Sequence, residues 1–137
     1  MNLNKAIEEI KVNEGFREHV YPDTLGHLTI GYGFALKDLK LDKHVAEAIL
    51  RSKITDLIME IYERMPWFAS MPDGVQSAIL DMCYQLGLAG FMKFKKTIHH
   101  LIDKDWERAS QEVLNSKYAM QTPARAKKVS EVFKKGI

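Results

Sequence analysis

Cysteine is nearly absent from this 137-residue chain: Cys83 is the only one, so no intramolecular disulfide can form. Cys83 lies in the mostly apolar run 78–84, which predicts a buried packing residue in preference to a catalytic thiol. Metal-ligand spacing is also missing, since His99 and His100 are adjacent and point in different directions on a helix. We therefore expect a fold that needs no disulfide, no metal and no other cofactor.

Long apolar runs are missing as well. No stretch reaches the length of a membrane-spanning helix, and residues 1–9 lack the apolar core of a signal peptide. These absences predict synthesis in the cytoplasm without stable membrane insertion. Any route out of the cell must then be supplied by another protein.

Acidic residues are scarce only in the C-terminal part of the chain, and the net charge of the whole chain is +2. Residues 1–90 carry 9 Lys or Arg and 13 Asp or Glu, whereas residues 91–137 carry 11 and 5. A basic C-terminal part suits an anionic polymer such as nucleic acid or bacterial cell wall. On charge alone, a solvated, lysine-rich helical surface is the favoured interpretation.

Hydrophobic periodicity divides the chain into a small β region and a helical body. Apolar residues at helical spacing predict a first helix over residues 3–13, closed by Gly15. Residues 16–35 combine turn residues with an alternating β-prone stretch, which predicts an antiparallel hairpin or meander. Later helices are predicted at 42–65 after Asp42, from 72–74 onward, at 92–103, at 105–115 and at 123–134 after Thr122, with a break at 87–90. The predicted class is α+β.

Three residues near the β region could carry acid–base chemistry. Glu14 ends the first helix, and Asp23 and Thr29 lie in the predicted hairpin. Glycoside cleavage uses one carboxylic acid to protonate the leaving oxygen and a second group to activate or position water. The acid should be partly buried to stay protonated, whereas a carboxylate in a turn stays ionised. Residue types alone favour ordinary structural roles for all three, because such patterns are common.

The order and spacing of these residues resemble the active-site region of the phage-type lysozymes, the T-even phage group of glycoside hydrolase family 24. The matching segments are Glu-Gly-Phe-Arg at 14–17, Tyr-Pro-Asp-Thr-Leu-Gly at 21–26 and Leu-Thr-Ile-Gly-Tyr-Gly at 28–33. The resemblance continues through Met-Cys-Tyr-Gln-Leu-Gly at 82–87, Trp-Glu-Arg-Ala at 106–109 and Gln-Thr-Pro-Ala-Arg-Ala at 121–126. It therefore covers nearly the whole chain.

This resemblance implies a role for each matching residue. Glu14 corresponds to the general acid, Asp23 to the residue that holds or activates water, and Thr29 to a residue that helps to place that water. Arg125 corresponds to the arginine that pairs with the catalytic glutamate. The implied substrate contacts are Tyr84, Gln85 and Thr97, and two further contact positions hold residues of a different type, Ala35 and Glu112.

The resemblance also implies the organisation of the chain as one lysozyme domain, 1–137. We expect a small lobe at about 15–45, a linking helix at about 42–65, and a helical lobe at 66–137 that includes the N-terminal helix 3–14. The segment between Phe34 and Asp42 is shorter than in the family, which predicts a trimmed small lobe. Phe34 and Lys53 replace a histidine and an aspartate that form an ion pair in the family's best-known member.

The expected activity is hydrolysis of the β-1,4 bond between N-acetylmuramic acid and N-acetylglucosamine, with inversion. The expected partner is bacterial peptidoglycan, and the enzyme is expected to act on it as a monomer in the periplasm. If the enzyme is phage-encoded, a holin is expected to release it from the cytoplasm. A lytic transglycosylase needs no positioned water, so Asp23 and Thr29 argue against it. A non-catalytic wall-binding module is disfavoured by the intact Glu, Asp and Thr set. A nucleic-acid binder ranks last.

Overall fold

The computed structural model describes residues 1–137 and begins with a helix, α1 (Leu3–Glu14), close to the predicted bounds. The Asn2 side chain caps it by accepting a hydrogen bond from the Lys5 N–H. Gly15 ends it with φ +72°, and the Gly15 N–H donates to the Lys11 carbonyl. This end matters because it places Glu14 where the chain turns into the sheet.

A three-stranded antiparallel sheet follows, as the meander prediction required. Its strands are β1 (Arg17–Pro22), β2 (Leu28–Gly31) and β3 (Phe34–Ala35), in the order β1-β2-β3. Thr29 lies in the middle strand and pairs with Tyr21 on one side and Ala35 on the other. An irregularity in β1 between Arg17 and Tyr21 shifts the register. A short 3-10 helix, Leu36–Asp38, leaves the sheet.

The long helix is also confirmed, as α2 (Lys43–Arg64). The Asp42 carbonyl accepts a hydrogen bond from the Ala46 N–H, as at an N-cap, and a 3-10 turn beginning at Pro66 follows the helix. No helix in the chain has both the length and the apolar character needed to cross a membrane.

The chain forms two compact units, residues 1–47 and 48–137, and their boundary lies inside α2. The first unit contains α1 together with the sheet, whereas the sequence prediction assigned α1 to the helical lobe. One contact that links α1 to the sheet is that of Glu14, at the end of α1, with Gly33 in the β2–β3 turn. The grouping of α1 with the helical lobe stays a prediction.

The second unit is helical. Two of its helices were not predicted: α4 (Leu88–Met92) occupies most of the predicted break at 87–90, and α7 (Lys117–Gln121) lies between the last two predicted helices. Each has only 5 residues, too few to show a helical period in the sequence. Thr122 is at the predicted N-cap position, but its hydroxyl donates back to the Tyr118 carbonyl and caps nothing. The helices are α3 (Asp73–Leu86), α4 (Leu88–Met92), α5 (Lys95–Ile102), α6 (Trp106–Leu114), α7 (Lys117–Gln121) and α8 (Pro123–Lys135).

The hydrophobic core lies in this second unit. Phe91 and Phe133 are its largest fully buried side chains, and they pack with Ile79, Met82 and Leu101. Burial of one such side chain contributes about 1.5–3 kcal/mol. Cys83 belongs to the same core, and burial raises the pKa of its thiol to about 12. The prediction of a packing cysteine is therefore confirmed.

Two buried serines join α6 to α8. The hydroxyls of Ser110 and Ser130 lie 2.6 Å apart, and the Ser130 hydroxyl also lies 3.2 Å from the Ser110 carbonyl. Ser130→Ala leaves a buried Ser110 hydroxyl without its partner, whereas after Ser110→Ala the Ser130 hydroxyl can still donate to the Ser110 carbonyl. We expect Ser130→Ala to lower the free energy of unfolding by about 1–3 kcal/mol, and Ser110→Ala to lower it by about 1 kcal/mol less than that. Urea unfolding measures both, and a larger cost for Ser110→Ala would contradict this.

Candidate functional site

Glu14 is the last residue of α1, and its carboxyl group lies against Gly33. A Cβ atom built at Gly33 would collide with Glu14 Oε2, and Gly33 has φ +75°. Glycine at position 33 therefore leaves the space in which the carboxyl group lies. The side chain is exposed and accepts no hydrogen bond, whereas its proposed chemistry led us to expect partial burial.

Asp23 is held ionised by the loop that follows it. Its Oδ1 accepts hydrogen bonds from the N–H groups of His27 at 2.8 Å and Leu25 at 2.9 Å. The His27 hydrogen bond is the largest influence, and together with Leu25 it lowers the pKa of Asp23. The structure therefore supports a solvated, ionised carboxylate in the turn.

Thr29 is buried in β2, and its hydroxyl donates to the His27 carbonyl at 2.9 Å. The same carbonyl accepts the Asp23 N–H at 2.8 Å. His27 thus connects the two predicted residues through its backbone, and its ring lies 3.7 Å from the Asp23 carboxylate. Sequence reasoning identified His27 only as a turn residue, because a backbone carbonyl leaves no signature in a sequence.

Asp23→Asn is expected to reduce the loss of unfolding free energy that occurs as the pH falls into the acid range. Since the folded pKa lies below the unfolded one, ionised Asp23 stabilises the fold above the unfolded pKa of about 4. That contribution is lost as the pH falls through the folded pKa. An asparagine side-chain oxygen can still accept the two N–H donors, so the turn is retained.

Urea unfolding between about pH 2 and pH 6 measures this effect. The matched control is Asp38→Asn, because Asp38 is exposed and its side chain forms no hydrogen bond. An acid limb in Asp23→Asn as steep as that of the parent chain would show that the loop does not stabilise the ionised carboxylate.

Arg125, predicted to pair with Glu14, forms a bidentate ion pair with Asp81 in the second unit. Its Nε and Nη2 donate to the Asp81 carboxylate at 2.8 and 2.6 Å, which joins α8 to α3. Hydrogen bonding to Asp81 is the main cause of a raised pKa for Arg125. Sequence reasoning missed Asp81, because it lies 44 positions from Arg125 and belongs to none of the segments that resemble the family. Pairing of Arg125 with Glu14 stays a prediction.

Comparison with known proteins now adds to this geometry. The sequence model of the phage lysozyme family matches residues 11–131, a span that includes Glu14, Asp23, Thr29 and Arg125. The chain belongs to the phage lysozyme family. It is therefore a lysozyme, an enzyme that hydrolyses bacterial cell wall.

Relatives of this lysozyme occur in a eukaryote and in a phage. Probable T4-type lysozymes 2 and 1 of Dictyostelium discoideum are 27% and 25% identical to it, and each alignment covers 93% of this chain and 92% of the relative. The pre-baseplate central spike protein Gp5 of Enterobacteria phage T4 is 26% identical over 98% of this chain, but over 28% of its own length. The alignments thus cover nearly all of the two Dictyostelium proteins but only one part of the larger phage protein.

The predicted substrate contacts of this lysozyme lie in the second unit. Tyr84 is exposed near the end of α3, and the next residue, Gln85, is partly buried with no hydrogen-bond partner for its Oε1. Thr97 on α5 is only 2% exposed. Contact of these three residues with substrate stays a prediction.

Phe34, which replaces a histidine of the family's best-known member, joins an aromatic group on the sheet. Its ring meets the Tyr32 ring edge-on, with 6.5 Å between the ring centroids, and the centroids of the Tyr32 and Phe16 rings lie 5.2 Å apart. Such ring pairs stabilise a small sheet by about 0.5–1.5 kcal/mol each. Position 34 is therefore used for aromatic packing within the first unit.

The described chain contains no group of three or more His, Cys, Asp or Glu side chains arranged to hold a metal ion.

Proposed function

We propose that this lysozyme hydrolyses the β-1,4 bond between N-acetylmuramic acid and N-acetylglucosamine in peptidoglycan, with inversion at the anomeric carbon. Glu14 is the general acid, Asp23 holds and deprotonates the attacking water, and Thr29 helps to place that water. Arg125 is a positioning residue that forms an ion pair with Asp81.

The observation that carries this assignment is the difference between the two carboxyl groups of the first unit. Asp23 accepts two backbone hydrogen bonds that lower its pKa and keep it ionised. Glu14 accepts none and is exposed, so its carboxyl group is free to meet a glycosidic oxygen. A pair of carboxyl groups in different environments is what acid–base cleavage of a glycoside requires.

The proposed reaction follows from these roles. Glu14 donates its proton to the glycosidic oxygen as the bond to the anomeric carbon breaks. Asp23 takes a proton from water, and the water oxygen bonds to the opposite face of the same carbon.

Product analysis of digested sacculi tests the proposal. Mass spectrometry should find reducing N-acetylmuramic acid ends, and proton NMR during the first turnovers should find the α-anomer. Anhydro-muramic ends would indicate a lytic transglycosylase, and reducing N-acetylglucosamine ends would indicate cleavage of the other bond. Either result would overturn the assignment.

We also propose that the enzyme acts as a monomer on the wall in the periplasm, after a separate pore-forming protein has opened the inner membrane. Expression in the cytoplasm alone should then leave cells intact, and permeabilising the inner membrane should cause lysis. Lysis on expression alone would contradict this route.

A further inference from the structure

His27 ends the turn that holds Asp23, and its main chain is fixed by three hydrogen bonds. Its N–H donates to Asp23 Oδ1 at 2.8 Å. Its carbonyl accepts the Asp23 N–H at 2.8 Å and the Thr29 hydroxyl at 2.9 Å. None of these bonds uses the imidazole ring, so a substitution that changes only the ring retains all three. The ring itself has no role in the reaction as proposed above.

The two carboxylate oxygens of Asp23 have different surroundings. Both backbone donors of the loop, the N–H groups of Leu25 and His27, use Oδ1. The other oxygen, Oδ2, accepts no hydrogen bond within the chain, and Nδ1 of the His27 ring lies 3.7 Å from it. In the proposed reaction, Oδ2 is therefore the oxygen that is free to take a proton from water, and the ring lies beside that oxygen.

The distance between the ring and Oδ2 determines how the ring can act. At 3.7 Å it exceeds the length of a direct N–H···O hydrogen bond, which is about 2.7–3.2 Å. A positive charge at this distance still favours the ionised form of a carboxylate and so makes it a weaker base. A neutral ring lacks this effect. The ring can therefore act on Oδ2 through its charge.

The charge of an imidazole changes in a range where Asp23 stays ionised. Histidine side chains ordinarily take up a proton at about pH 6.5, whereas aspartate does so at about pH 4. The hydrogen bond from the His27 N–H is the main cause of a lowered pKa for Asp23. The two ionisations are therefore well separated, and the charge beside Oδ2 can change while the carboxylate keeps its own.

Asp23 is the charged group that forms an ion pair with the ring. On the neighbouring strand β1, the Arg17 guanidinium lies over Tyr21, 4.5 Å from the centroid of its ring. Glu18 and His19, also on β1, are exposed and form no ion pair. The effect of a charged ring is therefore directed at the Asp23 carboxylate.

We propose that the His27 ring is a positioning residue of the reaction, one whose charge sets how readily Asp23 Oδ2 takes a proton from water. The neutral ring leaves Asp23 an effective base, and the protonated ring weakens it. The enzyme therefore slows as the pH falls below neutral, before Asp23 itself is protonated. The proposal rests on the role of Asp23 in the proposed function.

Two substitutions fix the charge of the side chain. His27→Gln is neutral and His27→Lys is positive throughout the range from about pH 5 to pH 8. At pH 5, kcat on soluble glycan strands should be about two- to fivefold higher for His27→Gln than for the parent enzyme, and equal for His27→Lys. At pH 8, it should be equal for His27→Gln and about two- to fivefold lower for His27→Lys. Each comparison is made at one pH, so the titration of Glu14, which all three enzymes share, cancels.

His19 provides the matched controls. His19→Gln and His19→Lys make the same changes of net charge at an exposed position of β1 that has no ion pair, so kcat should change by less than about 1.5-fold at either pH. A ratio of His27→Gln to the parent enzyme that is the same at both pH values would overturn the proposal. Effects of equal size in the His19 variants would overturn it as well.

NMR of the unbound enzyme measures the pair without any hydrolysis. The carbon-13 shift of the Asp23 carboxyl group should show a step at the pH where the His27 ring titrates. The step should be absent in His27→Gln and present in His19→Gln. Its absence in the parent enzyme would overturn the proposal, and so would a step combined with a rate ratio that does not depend on pH. The proposed function fails on different evidence, namely anhydro-muramic or reducing N-acetylglucosamine ends in the products.

Discussion

Glu14→Gln should lower the rate of wall hydrolysis by about a thousandfold while leaving wall binding intact. A glutamine side chain has nearly the same shape, so it should fit the space against Gly33, but it has no proton to give to the glycosidic oxygen. The measurement is dye release from labelled sacculi, combined with cosedimentation to measure binding.

Glu9→Gln is the control for this variant. Glu9 lies on the same helix, is exposed, and forms no ion pair or hydrogen bond, so its loss should change the rate by less than about twofold. If Glu14→Gln released dye as fast as the parent enzyme, Glu14 would not be the acid and the catalytic assignment would fail.

Gly33→Ala is expected to lower kcat by about tenfold to a hundredfold, because the added methyl group displaces the Glu14 carboxyl group. In the structure a Cβ at this position would overlap Glu14 Oε2. The positive φ of +75° adds a backbone cost of about 1–2 kcal/mol. The variant therefore loses both stability and activity, and the two effects must be separated.

Gly87→Ala separates them. Gly87 lies between α3 and α4 and has φ +77°, so the same substitution carries a similar backbone cost, but a Cβ there meets nothing within 4 Å. We expect both variants to lose similar stability in urea unfolding and only Gly33→Ala to lose most of its activity. Equal losses of activity in both variants would show that the contact with Glu14 has no catalytic importance.

The elements near the site were predictable because they depend on local patterns. Helical spacing up to Glu14, the turn residues around Asp23 and the alternation through Thr29 all act over a few positions, and the structure contains the corresponding helix, turn and strand. The short helices α4 and α7 escaped prediction because five residues make little more than one turn. Packing against the rest of the helical unit stabilises them, and packing is not visible in a sequence.

The surroundings of the site residues were less predictable. Partial burial of Glu14 was expected from its chemistry, yet the side chain is exposed. The position of Thr97 within its helix depends on where α5 begins, which the sequence placed about three residues too early. An error of that size moves a side chain from a helix interior to its first turn.

By itself, the sequence determined the α+β class, the position of Glu14 at a helix end and its spacing from Asp23 and Thr29, because these follow from periodicity and order along the chain. Only the tertiary structure decided which groups these residues meet. Asp23 and Thr29 share the His27 carbonyl, Gly33 makes room for the Glu14 carboxyl group, and Arg125 is bound to Asp81. The physical reason is that hydrogen bonds and steric contacts of these kinds depend on the path of the backbone and on residues far apart in the chain.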